Sequence, residues 1–290
     1  MIAATSKRYR LITELVAFWI IRLSAGLVVL TLGGIVLFLL YRGAGAVNWA
    51  FLTESPTDAM TRGGIFPAII GTLYLTIGSS LIALPLGVAS AIYLSEYAGD
   101  GWTLRLIRLG IQNLAGVPSV VFGLYGLALF VVFFGFGVSI LAGSLTLGFL
   151  VLPTIIGASE EAIRQVPATF REASLALGAT KFQTICRVVL PSATPGVITG
   201  SILGVGRAAG ETAPIMFTAA TFYTRHMPSS PFDQVMALPY HIYVLATSGT
   251  HIDQTRPLQY GTVLVLISLV LGINIFAIII RTRMRRKKTW

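Results

Sequence analysis

The stretch that decides the fold is EEAIRQVPATFREASLALGATKFQTICRVVLP (residues 160–191), a polar segment between two long apolar parts of the chain. It contains two sequences with the spacing of a helix-capping box, TFRE at 169–172 and TKFQ at 180–183. Gly178 lies between them and is suited to end the first helix, because glycine readily adopts the left-handed conformation of a C-terminal cap. The segment is predicted to form a helix, a glycine turn and a second helix that runs toward Pro191.

The composition identifies an integral membrane protein. Hydrophobic residues make up 55% of the 290 residues, charged residues only 11%, and the mean hydropathy is +0.81. So few charges cannot solvate the surface of a soluble protein of this size. The net charge of +10 is explained by basic residues in cytoplasmic loops, and no nucleic-acid partner is predicted.

Six segments are predicted to span the membrane, since a spanning helix needs about 20 apolar residues. They are residues 23–40, 65–94, 109–134, 138–158, 195–220 and 260–280. The predicted fold class is therefore an all-α polytopic membrane protein with six transmembrane helices. The third and fourth spans are predicted to form a hairpin that turns at residues 135–137.

The distribution of lysine and arginine predicts the orientation. Of the 21 basic residues, 16 fall in the two termini, the loop after the second span and residues 160–191, against four in the remaining loops. Because basic residues concentrate in cytoplasmic loops, both termini and residues 160–191 are predicted to be cytoplasmic. The first span is interpreted as a retained helix rather than a cleaved signal peptide, because it is long and arginines flank it.

The same pattern divides the chain into three parts. Residues 1–64 comprise a basic amino-terminal tail, the first span and the first external loop. Residues 65–280 form the core, with five spans, the polar segment 160–191 and a second external loop at 221–259. Residues 281–290 form a basic cytoplasmic tail.

Catalytic and nucleotide-binding motifs are absent from the sequence. It contains no Gly-Lys dipeptide and hence no Walker A loop, and no Gly-x-Ser-x-Gly, His-Glu-x-x-His or Cys-x-x-Cys pattern. The histidines, His226, His241 and His251, match no standard metal-binding spacing and are predicted to be solvated side chains. No catalytic residue, metal site or bound cofactor is predicted, and the chain is not expected to be an enzyme.

Arg207 and Glu211 are charged residues inside the fifth predicted span. Their i, i+4 spacing places both side chains on the same side of one continuous helix. A charge at the centre of a membrane helix costs roughly 2.5 to 3.5 kcal/mol on the insertion scale, so such residues usually pair and line a pathway. An arginine fork binds oxyanions and can exchange its carboxylate partner for a passing anion. The alternative is a structural ion pair that only neutralises itself.

The fifth span also carries small residues and a proline. Three glycines recur every four residues, and this pattern predicts close contact with a second helix. Glycine and proline near the charged pair are candidate positions for a bend or a hinge. The packing glycines are Gly196, Gly200 and Gly204, and the bend candidates are Gly204, Gly206, Gly210 and Pro214.

The polar segment resembles the EAA loop of the membrane subunits of ABC importers. The matching residues are Glu172, Ala173, Ser174, Gly178, Val188, Leu190 and Pro191, with Ser174 and Val188 as conservative departures. The resemblance implies that the loop is a coupling helix that contacts a cytoplasmic ATPase subunit. Apolar residues of the loop are predicted to be exposed and to need covering: Leu175, Leu177, Phe182 and Ile185. The alternative is that the segment packs on the chain's own helix ends and that Glu172 only caps a helix.

A second resemblance concerns the substrate. The sequence GRAAGETAP (residues 206–214), together with residues 63–72 and 117–124, is similar to permease subunits of phosphate-specific ABC importers of the PstA type. The resemblance implies the type I importer permease fold and translocation of phosphate by alternating access, with Arg207 and Glu211 in the substrate pathway.

The same resemblance implies the partners and the location. They are a second permease subunit of the PstC type as heterodimer partner, two cytoplasmic ABC ATPase subunits of the PstB type, an extracytoplasmic phosphate-binding protein of the PstS type, and the lipid of a bacterial cytoplasmic (inner) membrane. Three alternatives stay open: a permease for another oxyanion such as sulfate, molybdate or phosphonate, an ATP-independent secondary transporter or channel, and a membrane scaffold that does not transport.

Overall fold

The chain is built almost wholly of helices in the computed structural model, which describes the backbone of residues 2–99, 101–224, 226–248 and 252–286. In chain order the helices are α1 (Ile2–Gly43), α2 (Trp49–Thr53), α3 (Phe66–Ile92), α4 (Trp102–Ala115), α5 (Ser119–Gly126), α6 (Ile140–Arg164), α7 (Ala168–Ala176), α8 (Lys181–Thr184), α9 (Leu190–Gly210), α10 (Ala213–Thr218), α11 (Leu238–Thr247) and α12 (Ile252–Arg286).

Shorter elements connect or extend these helices. A π-helical turn follows α3 at Tyr93–Tyr97 and α8 at Ile185–Val189, and a longer π-helical segment follows α5 at Leu127–Phe133. Between α2 and α3, the two-residue strands β1 (Pro56–Thr57) and β2 (Arg62–Gly63) pair in antiparallel fashion.

Five helical segments in the described part of the chain are long and apolar enough to cross a membrane. They are Thr13–Ala46, Phe66–Tyr97, Ile140–Arg164, Lys181–Gly210 and Thr255–Arg283. These segments correspond to the first, second, fourth, fifth and sixth predicted spans. Several extend well beyond the predicted apolar stretch, because a helix can continue into polar sequence outside the hydrocarbon layer.

The third predicted span, residues 109–134, is not a straight helix. α4 ends at Ala115, α5 begins at Ser119, and the two helical parts are bent by 100°. The break falls at Pro118, which cannot donate a hydrogen bond to the preceding turn and disfavours helical geometry at the residue before it. The bent pair can be counted as a sixth span. The predicted turn at residues 135–137 is confirmed, with positive φ angles of 70° at Gly135 and 65° at Gly137.

Helix α6 is the centre of the bundle, and it packs against α3 on one side and α9 on another. The glycine pattern of the fifth predicted span meets this helix, with Gly196 and Gly200 lying against Ala162 and Ala158. A Cβ atom on Gly200 would lie 2.3 Å from that of Ala158. Gly204 also faces α6. The absence of side chains along this stripe therefore allows the two helices to approach closely.

The start of α6 is covered by the last residue of α10 and the loop that follows it. The backbone N–H of Ser139 donates to the carbonyl of Thr218, that of Ile140 to Asp233, and that of Leu141 to Pro231, each at 2.9 Å. These are N–H groups that a helix cannot satisfy internally. The loop is thereby joined to the first turn of the central helix.

Asp233 also stabilises the loop locally. Its carboxylate accepts hydrogen bonds from the backbone N–H of Ser229 at 2.7 Å and of Ser230 at 2.9 Å, and from the Ser229 hydroxyl. These hydrogen bonds, led by the Ser229 backbone, lower the pKa of the Asp233 carboxyl below its usual value.

The prediction that all three histidines are solvated is wrong for His241. This residue lies in α11, only 3% of its surface is exposed, and burial lowers its pKa to about 4. Its burial follows from the packing of α11 against α3 and α12, which the local sequence does not reveal. His226 is exposed as predicted, and His251 lies outside the described residues.

Candidate functional site

The first half of the polar segment folds into α7, but the helix begins before residue 170, where a capping box at residues 169–172 predicts its start. It starts at Ala168, directly after Pro167, and no side chain caps it within the described structure. The predicted capping box of residues 169–172 is therefore wrong. Pro167 supplies the extended backbone that precedes the helix, and its carbonyl accepts from the Phe170 N–H at 3.2 Å, so the helix has already started before Thr169. Glu172 is exposed rather than occupied as a cap.

The predicted glycine turn after α7 is confirmed. Gly178 has a φ angle of 86°, in the left-handed region that glycine tolerates. Its N–H donates to the Leu175 carbonyl at 2.9 Å, and the Ala179 N–H donates to the Ser174 carbonyl at 3.3 Å. This pair of hydrogen bonds is the Schellman motif, which satisfies carbonyls at the end of a helix.

The second capping box is also confirmed. The Gln183 N–H donates to Thr180 Oγ1 at 3.3 Å, and the Thr180 N–H donates to Gln183 Oε1 at 2.9 Å. From α8 the helical path continues through the π-helical turn into α9, where Leu190 and Pro191 lie in the first turn. The polar segment is thus continuous with a membrane-spanning helix.

The turn between α7 and α8 presents apolar side chains to the outside. Leu177 is 90% exposed, and Leu175 and Phe182 are also exposed. The prediction of exposure is wrong for Ile185, which is buried where the π-helical turn packs against α7. Ala173 is exposed as well, whereas Ser174 is partly buried and its hydroxyl lies 2.9 Å from that of Thr184.

Ion pairs surround the polar segment, and sequence reasoning did not find them. Arg171 of α7 contacts Glu96 in the π-helical turn after α3, with Nη2 2.7 Å from Oε1. Glu160 of α6 contacts Arg108 of α4 and Arg164 of α6, each at 2.8 Å. Only the Glu160–Arg164 pair has an i, i+4 signal, because the other partners are far apart in the sequence.

The fifth predicted span is broken beside its charged pair. α9 ends at Gly210, Glu211 is extended with φ −75° and ψ 131°, and α10 begins at Ala213. The premise that Arg207 and Glu211 lie on one continuous helix is wrong here. The break falls at two of the predicted bend positions, Gly210 and Pro214, because the Pro214 ring would clash with the Gly210 carbonyl four residues earlier. Pro214 instead lies in the first turn of α10, where its missing N–H is harmless.

Arg207 and Glu211 nevertheless form an ion pair across this break. Arg207 Nε lies 3.1 Å from Glu211 Oε1, and 39% of the arginine side chain is exposed. The arginine is held by the last turn of α9, whereas the carboxylate is carried by a residue outside any helix. Gly206, one residue before the arginine, faces Asn274 of α12, and a Cβ atom there would lie 3.0 Å from the asparagine Oδ1.

Glu211 also lines a small cleft with two threonines of α3, Thr72 and Thr76. Thr72 Oγ1 accepts from the Leu238 N–H at 2.8 Å and donates to the Ala68 carbonyl at 2.7 Å. The sequence signal for this neighbour was its position at the end of residues 63–72, a stretch similar to phosphate permeases. Among the described residues, no group of three or more His, Cys, Asp or Glu side chains is placed to hold a metal ion.

The chain matches one protein family and is similar to known permease proteins. The family described as "Binding-protein-dependent transport system inner membrane component" matches residues 83–289. The chain is 32% identical to the probable ABC transporter permease protein YqgI of Bacillus subtilis, over 97% of this chain and 99% of that protein. It is 41% identical to the phosphate transport system permease protein PstA of Mycobacterium leprae, over 74% of this chain and 69% of that protein.

One further relative and two solved structures are also similar to this chain. The probable phosphate transport system permease protein PstA of Methanocaldococcus jannaschii is 33% identical over 92% of this chain and 93% of that protein. The fold is similar to that of the MetNI methionine ABC transporter in an inward-facing conformation, with a TM-score of 0.58 and 19% identity over 76% of this chain and 94% of that chain. A bacterial ABC transporter that imports alginate has the same TM-score, 0.58, at 15% identity over 78% of this chain and 80% of that chain.

Proposed function

The chain belongs to the family of binding-protein-dependent transport system inner membrane components, and from this premise we propose that it is the permease subunit of an ATP-driven importer of inorganic phosphate. Its fold is that of type I ABC importer permeases. The phosphate assignment is supported by relatives named PstA that are 30% to 41% identical to this chain. The mechanism follows from two regions, the Arg207–Glu211 break and the polar segment 160–191.

The observation that carries the proposal is a half-exposed arginine paired with a carboxylate at a break in a spanning helix. Arg207 is 39% exposed, and such a charge is too costly to leave in lipid. It must therefore face a water-filled pathway or a second subunit. A guanidinium in that position can bind two phosphate oxygens with its parallel N–H groups, which suits an oxyanion better than a neutral or cationic substrate.

Glu211 would act as the exchangeable partner. In the absence of substrate its carboxylate neutralises Arg207. When phosphate arrives, the anion replaces the carboxylate on the guanidinium, and the displaced negative charge then repels the bound anion. Because Glu211 lies outside α9 and α10, its side chain can move without distorting a helix. Binding and release would thus use the same pair.

The polar segment would connect this pathway to ATP hydrolysis in a separate subunit. Its exposed Leu177 and Phe182 form an apolar surface that needs a partner. We assign that partner as a cytoplasmic ABC ATPase, with Glu172 and Ala173 exposed beside the contact. ATP binding would draw two ATPase subunits together, move the coupling helices of the two permeases and open the pathway toward an external phosphate-binding protein.

The orientation required by this scheme has both termini and the polar segment on the cytoplasmic side. The distribution of basic residues supports it. The second permease would be a PstC-type subunit that covers the exposed side of Arg207, and the ATPase and binding protein would be of the PstB and PstS types. The alternatives, another oxyanion or ATP-independent transport, are less well supported because neither explains the PstA relatives together with the coupling segment.

The direct test is phosphate uptake into vesicles. The vesicles would hold this chain with its partner permease and ATPase, the binding protein outside and ATP inside. Wild type should take up labelled phosphate only with ATP, whereas a Glu172 and Gly178 double variant should lose both uptake and retention of the ATPase. Uptake of sulfate or molybdate in place of phosphate would leave the architecture intact and reject the substrate. Uptake without ATP would reject the proposed class.

A further inference from the structure

Arg171 makes more polar contacts than a surface ion pair requires. Its Nε and Nη2 donate to Glu96 Oε1, at 3.1 and 2.7 Å. Nη2 also donates to the Ile163 carbonyl at 2.9 Å, and Nη1 donates to the Val166 carbonyl. One side chain of α7 therefore contacts three acceptors that belong to other elements.

The acceptors lie at the ends of two membrane-spanning helices. Ile163 is in the last turn of α6, Val166 follows that helix, and Glu96 is in the π-helical turn that ends the α3 span. The negative end of the helix dipole attracts a cation, and the Ile163 carbonyl, which also accepts from the Val166 N–H at 3.2 Å, has a second lone pair for the guanidinium. The guanidinium is thus suited both to the carbonyls of α6 and to the carboxylate beside α3.

The environment makes this contact stronger than an exposed pair. Glu96 is only 9% exposed, and its partner is also partly buried. Exposed ion pairs typically contribute between 0 and about 1 kcal/mol, because solvent screens them and both side chains lose freedom. Here the planar fork of arginine makes several hydrogen bonds from a single orientation, a geometry that lysine cannot reproduce.

Two further contacts join the polar segment to itself and to the end of α3. The Ser174 and Thr184 hydroxyls lie 2.9 Å apart and connect α7 to α8. The Lys181 Nζ atom lies 5.0 Å from the centre of the ring of Tyr97, a residue in the same π-helical turn as Glu96. The pair of short helices is therefore attached to the end of the α3 span at two points, of which Arg171 is the more extensive.

We propose that Arg171 is the positioning residue that transmits movement of the polar segment to the membrane, by holding α7, the end of α3 and the end of α6 as one rigid unit. This inference rests on the proposed function, since it assumes that an ATPase moves α7. The polar segment keeps other connections: residues 165–167 join α7 to α6, the helical path through α8 runs into α9, and Phe170 packs with residues of α3 and α6. Without Arg171, the polar contacts with Glu96 and with the carbonyls at the end of α6 are lost. Movement of α7 would then reach α3 and α6 less completely, and less phosphate would be transported per ATP hydrolysed.

We expect loss of Arg171 to uncouple ATP hydrolysis from phosphate transport without disrupting assembly of the complex. In the reconstituted complex, Arg171→Gln should retain the ATPase and its hydrolysis while phosphate transported per ATP falls by about tenfold, the scale of one to two kcal/mol of lost coupling. Arg171→Lys should recover part of this ratio because it restores the charge but not the fork. Glu96→Gln should have a smaller effect, since the contacts with the two carbonyls remain.

The matched control is Arg105→Gln, which removes one exposed arginine from α4. Its ratio of transport to hydrolysis should equal that of wild type. The inference is overturned if Arg171→Gln keeps the wild-type ratio. It is also overturned if transport, hydrolysis and ATPase retention fall together, because Arg171 would then serve assembly only.

A second measurement separates this inference from the proposed function. Spin labels on cysteines replacing Tyr93 and Leu177, both exposed, would report the distance between the end of α3 and α7 in the purified full chain with Cys186 changed to Ser. Arg171→Gln should broaden the distance distribution, whereas Arg105→Gln should not. An unchanged distribution overturns the inference even where wild type transports phosphate. If Arg171→Gln broadens the distance distribution but the complex shows no ATP-dependent uptake, the proposed function is rejected and the inference about Arg171 is not.

Discussion

Two arginines of this protein, Arg207 and Arg171, form ion pairs of opposite character. Among the described contacts, Arg207 makes one hydrogen bond to a carboxylate four residues away. Arg171 contacts a carboxylate 75 residues away in the chain and two backbone carbonyls. The first pair lies at a break in a spanning helix, and the second joins the ends of two such helices.

The difference shows that an arginine can exchange its carboxylate partner at one site and stay bound to its partners at another. A single contact with a carboxylate outside any helix can be replaced by an incoming anion, at the cost of one hydrogen-bonded charge pair. Backbone carbonyls at the end of α6 cannot leave, so a guanidinium that binds them is held wherever the helix is. We therefore expect substitutions at the two arginines to fail in different ways.

The largest effect is expected at the exchanging pair. Arg207→Gln removes the cation that binds phosphate, and uptake should fall by at least about 100-fold, because a charged hydrogen bond in a low-dielectric site is worth about 3 kcal/mol or more. The amount of protein in the membrane and the retained ATPase should not change. Labelled phosphate uptake, normalised to membrane protein, measures this. Undiminished uptake would show that Arg207 and Glu211 form a structural ion pair only.

A smaller effect is expected at the apolar surface beside the fixed pair. Leu177→Ser with Phe182→Ser removes two exposed apolar side chains, and affinity for the ATPase should fall by about 10- to 100-fold, or about 1.4 to 2.7 kcal/mol in total. Partial burial at an interface contributes less than the roughly 1.5 to 3 kcal/mol that full burial of each side chain would give. Copurification with the ATPase at graded concentrations measures this. Phe232→Ser makes the same chemical change in a loop distant in sequence and should leave affinity unchanged. Equal retention in all variants would mean that this surface is not the contact.

The glycine turn tests whether the polar segment must keep its shape for Arg171 to act. Gly178→Val places a β-branched residue at a φ angle of 86°, which costs about 1 to 2 kcal/mol. Hydrogen exchange at Ala179 should increase, and ATPase affinity should fall about five- to thirtyfold. Gly178→Asn should be milder, because asparagine tolerates the left-handed conformation. If hydrogen exchange at Ala179 is identical in the two variants, strain in the glycine turn is not the cause of the lost affinity.

The smallest effect is expected where this chain departs from the EAA pattern. Ser174→Ala removes the hydroxyl that contacts Thr184, and the transport-to-hydrolysis ratio should fall by no more than about fivefold, since a neutral hydrogen bond contributes about 1 kcal/mol or less. Thr184→Val should have a similar effect. The double variant should match either single one, because both remove the same contact. Additive losses would show that the two hydroxyls act separately.

Local features of the structure could be predicted from neighbouring residues. The capping box at Thr180 and the glycine cap at Gly178 depend on a few consecutive residues, and both predictions were confirmed. The box at Thr169 failed because Pro167, two residues earlier, had already set the start of the helix. The break at Gly210 followed a local rule that was available, the clash between Pro214 and the carbonyl four residues before it.

The sequence by itself determined that this protein is a helical membrane protein with an exposed apolar turn after α7 and a charged pair in its fifth apolar segment, because hydropathy, charge and short motifs act within a few residues. Only the tertiary structure decided that Glu96 meets Arg171, that Arg108 meets Glu160, and that His241 is buried. Those contacts join residues tens of positions apart, and their formation depends on how α3, α4, α6 and α11 pack. Such packing is a property of the whole bundle, and no short sequence pattern specifies it.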